Sequence, residues 1–232
     1  MSPVIDGGGP SGLPAPTGSL NATQLILLNA RQQLQDVTGT KWGDDLILPY
    51  LDMAIMAILN VRPSAYPTTV NITLVAGAKQ SLPAGAIALL DLVCNLGVAD
   101  AIAGALVTVE KDAMDNLMPG WMQATADAVP IFGITDPNDP KAFYVYPPQS
   151  GATAKVQAII STPPTALAAN DSTFPLDDSY KEPAIDYLIY RALFEETTIP
   201  NALSKAGMAL QKFHQFFGIK TAMETKAGEK SK

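Results

Sequence analysis

At 232 residues the chain is long enough for one or two domains with a sizeable core. Hydrophobic residues make up 47% of it and charged residues only 16%. So low a charge fraction points to surface covered by neighbours, although a large, efficient core explains it nearly as well. The formal charge of −7 is uneven: residues 218–232 carry four lysines against two glutamates, a net of +2, which leaves −9 on the remainder. A body that acidic repels phosphates, so sequence-specific nucleic-acid binding is not expected.

Cys94 is the one cysteine, so an internal disulfide is excluded; it sits in an apolar run and reads as a buried, inert thiol. The first residues, Met1 to Asp6, show no basic-then-apolar leader, and the expectation is a chain that is cytosolic when made. Residues 87–109 form the longest apolar stretch, but Asp91, Asp100 and several glycines interrupt it, so no membrane span is expected.

Residues 1–19 are rich in Gly, Pro and Ser and read as a flexible arm. Gly7-Gly8-Gly9-Pro10 is followed by no Gly-Lys-Ser/Thr, so it is no phosphate loop. A first helix is predicted from the Asn21 cap to about Val37, with Leu27, Ala30, Leu34 and Val37 on its apolar face. A second starts at Asp44 or Asp45, whose carboxylates can cap it. It buries Ile47, Leu51, Ala54, Ile55 and Ile58 and stops at Pro63, with Pro49 early enough to be tolerated.

From Thr68 to about Pro164 the pattern becomes β-like. Val70, Ile72 and Leu74 alternate with polar residues. Further strands are predicted at 89–93, 106–109, 131–134, 143–146 and 156–160, punctuated by Pro- and Gly-rich turns, with a short helix over 110–117. Two helices close the chain. One runs from about Asp178 to Thr197, with Ala184, Tyr187, Leu188 and Ala192 on one face and a capping-box match at Ser179 to Glu182. The other runs from about Asn201 to Phe217, with a stripe of Leu203, Ala206, Leu210, Phe213 and Phe217, and Gly218 as its left-handed cap.

The expected fold class is therefore α+β. A four-helix bundle is formed by the N- and C-terminal helix pairs (residues 20–67 and 165–218), with an inserted β-rich domain over 68–164 and a mobile basic tail over 219–232.

No catalytic constellation is visible. His214 is the only histidine, and no Ser/Asp signature accompanies it, so a solvent or interface role is expected. Asp136-Pro137-Asn138-Asp139-Pro140 lacks the glycine and distal glutamate of a calcium loop and reads as a turn. The carboxylate pairs Asp44/Asp45, Asp177/Asp178 and Glu195/Glu196 lie at helix ends, where capping or solvation accounts for them. Phe143, Tyr144 and Tyr146 have no interleaved basic residues and suit a small β core better than a base-stacking platform. No metal, cofactor or catalytic residue is expected.

Several segments carry a resemblance: Leu90 to Val93, Asn116 to Trp121, Asp136-Pro137 through Phe143 to Pro148, Asp186 to Ala192, and Phe213 to Lys220. Together they resemble the bacteriophage head-to-tail adaptor (connector, or head-completion) proteins over roughly residues 20–220. The resemblance implies a helical bundle with an inserted β domain, assembled as a homo-oligomeric ring, a dodecamer, beneath the portal protein at the neck of the virion. It also implies a tail tube or nozzle protein as partner on the other side, and no catalysis. An acidic ring wall would let DNA pass through the channel without being gripped.

In adaptors of this kind the C-terminal segment reaches the portal, so Lys220, Lys226, Lys230 and Lys232 are the candidate portal contacts. The rival readings are a tail tube or nozzle component, which calls for more β-structure, and a soluble small-ligand binder or hydrolase, which calls for a polar pocket.

Overall fold

The computed structural model describes residues 20–151 and 154–218. Helix α1, Ala22–Gln33, opens as its sequence demands: the Asn21 side chain accepts the Gln24 N–H at 2.8 Å, and the Gln24 side chain accepts the Asn21 N–H at 3.0 Å. It ends four residues before the expected limit, and Val37 lies exposed in the following loop. Helix α2, Asp44–Val61, keeps Pro49 in its second turn and buries Ile47, Leu51, Ala54, Ile55 and Ile58. No side chain caps it. Asp44 instead pairs with Arg31 at 2.5 Å, which locks the loop between the two helices.

Strand β1 (Pro67–Thr73) leads through a loop into β2 (Gly77–Ser81), then β3 (Ala88–Leu96), β4 (Ile102–Ala105) and β5 (Val107–Glu110). Helix α3 (Lys111–Leu117) separates these from β6 (Phe132–Thr135), β7 (Ala142–Gln149) and β8 (Lys155–Ser161). They form two four-stranded sheets. One runs β1-β8-β3-β4 and is antiparallel throughout; the other runs β2-β7-β6-β5 and is antiparallel except for the parallel β5–β6 pair. The chain crosses from the first sheet to the second between β4 and β5, at buried Leu106.

Alternation along β7 shows how the layers stack. Phe143 and Val145 point into the core shared with Ile72, Leu92, Val156, Ala158 and Ile160 of the first sheet. Tyr144 and Tyr146 point the other way, onto Ala78, Met114, Trp121 and Ile134, so α3 and the turn at Trp121 cover the outer face of the second sheet. Gly133 of β6 lies against Leu92 of the first sheet and Leu106. A Cβ there would stand 2.6 Å from Leu92 Cδ1 and 2.9 Å from Leu106 Cδ2, which explains a glycine inside a strand.

Helix α4, Lys181–Phe194, follows a short 3-10 turn at Asp178–Tyr180, and α5 spans Ala202–Phe216. The expected capping box at Ser179 to Glu182 is absent; the Asp177 carboxylate accepts the Ser179 N–H at 2.9 Å instead. Gly218 does take the left-handed conformation, with φ of 68°.

The chain is α+β, but the four-helix bundle expected from the sequence is not what forms. Among the described residues there are five α-helices, one of which, α3, belongs to the sheets. The other four are not equivalent. Helix α4 packs against α1, α2 and α5 and buries Ala184, Ile185, Asp186, Leu188, Ile189, Ala192 and Leu193 around most of its circumference.

Helices α1 and α5 each bury one stripe towards that centre, and α2 and α5 make no comparable contact with each other. A bundle requires each helix to bury surface on two neighbours. Here single-stripe helices surround one apolar helix, and outward residues such as Leu46 and Met53 of α2 stay exposed. Sequence periodicity shows how wide a helix's apolar face is, not how many neighbours share it. The candidate contacts Lys220, Lys226, Lys230 and Lys232 lie outside the described residues.

Candidate assembly surfaces

The residues that could have carried chemistry are occupied structurally. His214 is half-buried beside Phe213, with ring centroids 5.9 Å apart, and makes no side-chain hydrogen bond among the described residues. Asp178 pairs with Lys181 at 2.8 Å and Glu195 with Arg191 at 2.8 Å. Glu196 pairs with Lys41 at 2.5 Å. Asp136 accepts the Asn138 N–H at 2.9 Å, closing the turn, and Asp139 pairs with Lys79 at 2.9 Å. Among the described residues no group of three or more His, Cys, Asp or Glu side chains gathers to hold a metal, and no helix is long and apolar enough to cross a membrane. Cys94 is buried and free.

The polar groups with the most partners organise loops. The Asp36 carboxylate accepts the N–H groups of Trp42, Lys41 and Thr40 at 2.8 to 2.9 Å, which holds it below the usual carboxylate range, the Trp42 bond contributing most. Gln80, buried in β2, accepts the Val75 N–H at 2.7 Å and donates to the Val75 and Gly77 carbonyls at 2.8 and 3.1 Å, closing the β1–β2 loop. Sequence reasoning missed this glutamine, because a lone Gln in Gly77-Ala78-Lys79-Gln80-Ser81 carries no strand signal.

Apolar surface is also left open to solvent. An open groove of about 520 Å³ runs along α2, lined by Pro49, Met53, Met56 and Ala57, with Asp52 and Asn60 at its edges and Tyr187 of α4 beside it. Leu46 and Met53 are 46% and 44% exposed. On α5, Met208 is 55% and Phe216 49% exposed, flanked by Lys205 and Lys212. At the other end of that helix Leu203 and Phe194 share a second patch. Leu203, expected on the buried stripe, is 66% exposed, whereas Ala206 and Phe213 are buried as expected.

The motif segments noted in the sequence fall in the scaffold. Trp121 is buried, donates from Nε1 to Asp115 at 2.8 Å and meets Tyr144 edge to face. Asp186 to Ala192 forms the centre of α4. The sequence matches the family described as SU10 adaptor protein over residues 20–230. This chain belongs to the SU10 adaptor protein family. The family is one of phage head-to-tail adaptors, so the adaptor has a structural role at the virion neck. No curated protein matches the chain. The adaptor motifs serve packing and turns in this fold, and the match begins directly after the Gly/Pro-rich first 19 residues.

Proposed function

We propose that this adaptor is the subunit of a closed ring that joins the portal to the tail tube or nozzle and surrounds the DNA channel, without catalysis. Membership of the adaptor family over residues 20–230 is the observation that carries the reading. The unpartnered apolar surface on α2 and α5 supports it, because residues such as Met53 and Met208 need cover that the free subunit does not supply. The excess of acid over residues 1–217 suits a channel wall that DNA slides past. In this reading residues 20–67 and 165–218 make the helical body, residues 68–164 make an inserted β lobe, and a dodecamer is the stoichiometry tested first.

The portal contact falls to residues 219–232, where Lys220, Lys226, Lys230 and Lys232 form the one cationic stretch on an acidic chain. A charged segment of this kind orders on a complementary surface, and repetition around a ring turns a weak contact into firm attachment. Truncation after Gly218 tests it. The shortened chain is expected to keep its melting temperature but no longer co-sediment with portal; undiminished portal binding contradicts the assignment.

A further inference from the structure

A closed ring built from identical subunits uses a heterologous interface, in which each copy presents two different patches that fit one another. The helices offer such a pair. Along α2 the groove wall is apolar; Asp52 stands at its edge, Asp45 lies seven residues earlier on the same side of the helix, and neither forms an ion pair among the described residues. Asp52 accepts only the Leu167 N–H, at 3.1 Å, and its burial without a cation raises its carboxyl above the ordinary range.

Along α5 the exposed Met208 lies between Lys205 and Lys212, seven residues apart and so on one side of the helix, and neither lysine forms an ion pair among the described residues. The two surfaces face different ways. Helices α2 and α5 both pack on α4 and make no comparable contact with each other. Tyr187, with its ring 5.2 Å from Phe213, stands at the edge of the α2 groove, whereas Lys205 borders the loop after α1 at Gln33 to Asp36 and Lys212 stands towards Asp186. One subunit therefore cannot satisfy its own pair.

We propose that the α2 groove receives the Lys205–Met208–Lys212 flank of α5 from a second copy of this chain, Lys205 against Asp45, Lys212 against Asp52 and Met208 against the exposed Pro49 between them. The proposal rests on the ring reading above and names the surfaces that close it. Length agrees: 18 residues of α2 span ~27 Å and 15 residues of α5 ~22 Å, so the helices can lie along one another. The sign agrees as well. An ammonium brought to Asp52 offsets the desolvation of its carboxylate, while the methionines supply adaptable apolar contact.

The test places benzoylphenylalanine at position 53, or separately at position 208, in the full chain assembled on portal-bearing heads. Irradiation is followed by peptide mapping of the species at twice the subunit mass. Cross-links from 53 are expected in the 202–216 peptides of the second copy, and those from 208 in the 44–61 peptides. Rings that form but cross-link 53 only to 53, or to the β strands, overturn this interface and leave the ring reading standing. Heads that carry no ring overturn both.

A charge exchange gives an independent readout. Asp45→Lys and Lys205→Glu are each expected to lower ring occupancy about tenfold, the effect of one lost interfacial pair, and the double variant to recover it. Unchanged occupancy in both single variants, with unchanged melting, overturns the proposal.

Discussion

Lys41, in the loop after α1, and Glu196, in the loop after α4, are joined by an ion pair of 2.5 Å that ties those two loops together. Thr198 adds its N–H and hydroxyl to the same carboxylate, at 2.6 and 2.5 Å. The Lys41 ammonium first, and the Thr198 bonds after it, hold Glu196 at about 2, down from the ordinary 4.5. A carboxyl depressed in the folded state contributes stability above its unfolded value and loses it as the pH falls towards the folded one. Glu196→Gln is therefore expected to melt below the parent at pH 7, with the gap closing between pH 4.5 and 2. Thermal melts across that range read it directly.

Asp186 behaves in the opposite sense. It lies in α4 with only 5% of its surface exposed, and burial pushes its carboxyl up to about 6 against the attraction of Lys212. A raised carboxyl favours the folded state at low pH, fully below 3.8, and that contribution is lost as the pH rises through 6. Asp186→Asn should stabilise the subunit by about 2 kcal/mol at pH 7.5, shrinking to nothing below about pH 4. Urea denaturation at both pH values checks the sign.

Gly133 leaves no room for a Cβ between the sheets. Gly133→Ala forces its Cβ against Leu92 and Leu106 and is expected to cost about 1–3 kcal/mol in denaturant unfolding. Gly207→Ala, on the open side of α5 where a Cβ meets nothing, should stabilise by about 0.5–1 kcal/mol.

Phe213 and Leu203 share one predicted stripe and differ in place. Phe213 is 3% exposed and packs on Tyr187 and Phe217, so Phe213→Ala should cost about 3–5 kcal/mol. Leu203 is 66% exposed, and Leu203→Ala should fall within about 0.5 kcal/mol. Equal losses from the two would place Leu203 in the core.

Local chemistry was legible in the sequence wherever it was strong. The Asn21 cap, the Pro63 stop, the Gly218 terminus and the alternation of β1 all act within a few residues. Strands β2 and β4 were not legible. Gly77-Ala78-Lys79-Gln80-Ser81 has no β-branched or aromatic residue, and Ile102-Ala103-Gly104-Ala105 is exposed throughout, so only pairing to β7 and β3 makes them strands.

The arrangement of helices around α4 was hidden for a related reason. Tyr187 continues the apolar face of α4 in sequence, yet it stands at the edge of the α2 groove, because which neighbour covers a side chain is settled by the whole layer. The family resemblance read from Asn116 to Trp121 and Phe143 to Pro148 agreed with the family match. Those segments anchor the sheets through the buried Trp121, Phe143 and Val145, and that packing says nothing of the partners.

Electron microscopy of portal-bearing heads incubated with the full chain tests the central claim most directly. A ring of this subunit seated beneath the portal, coaxial with the DNA channel and with its helices in side-by-side contact, is the expected result. Heads whose portals stay bare at saturating protein, with the chain monomeric in the supernatant, would contradict it.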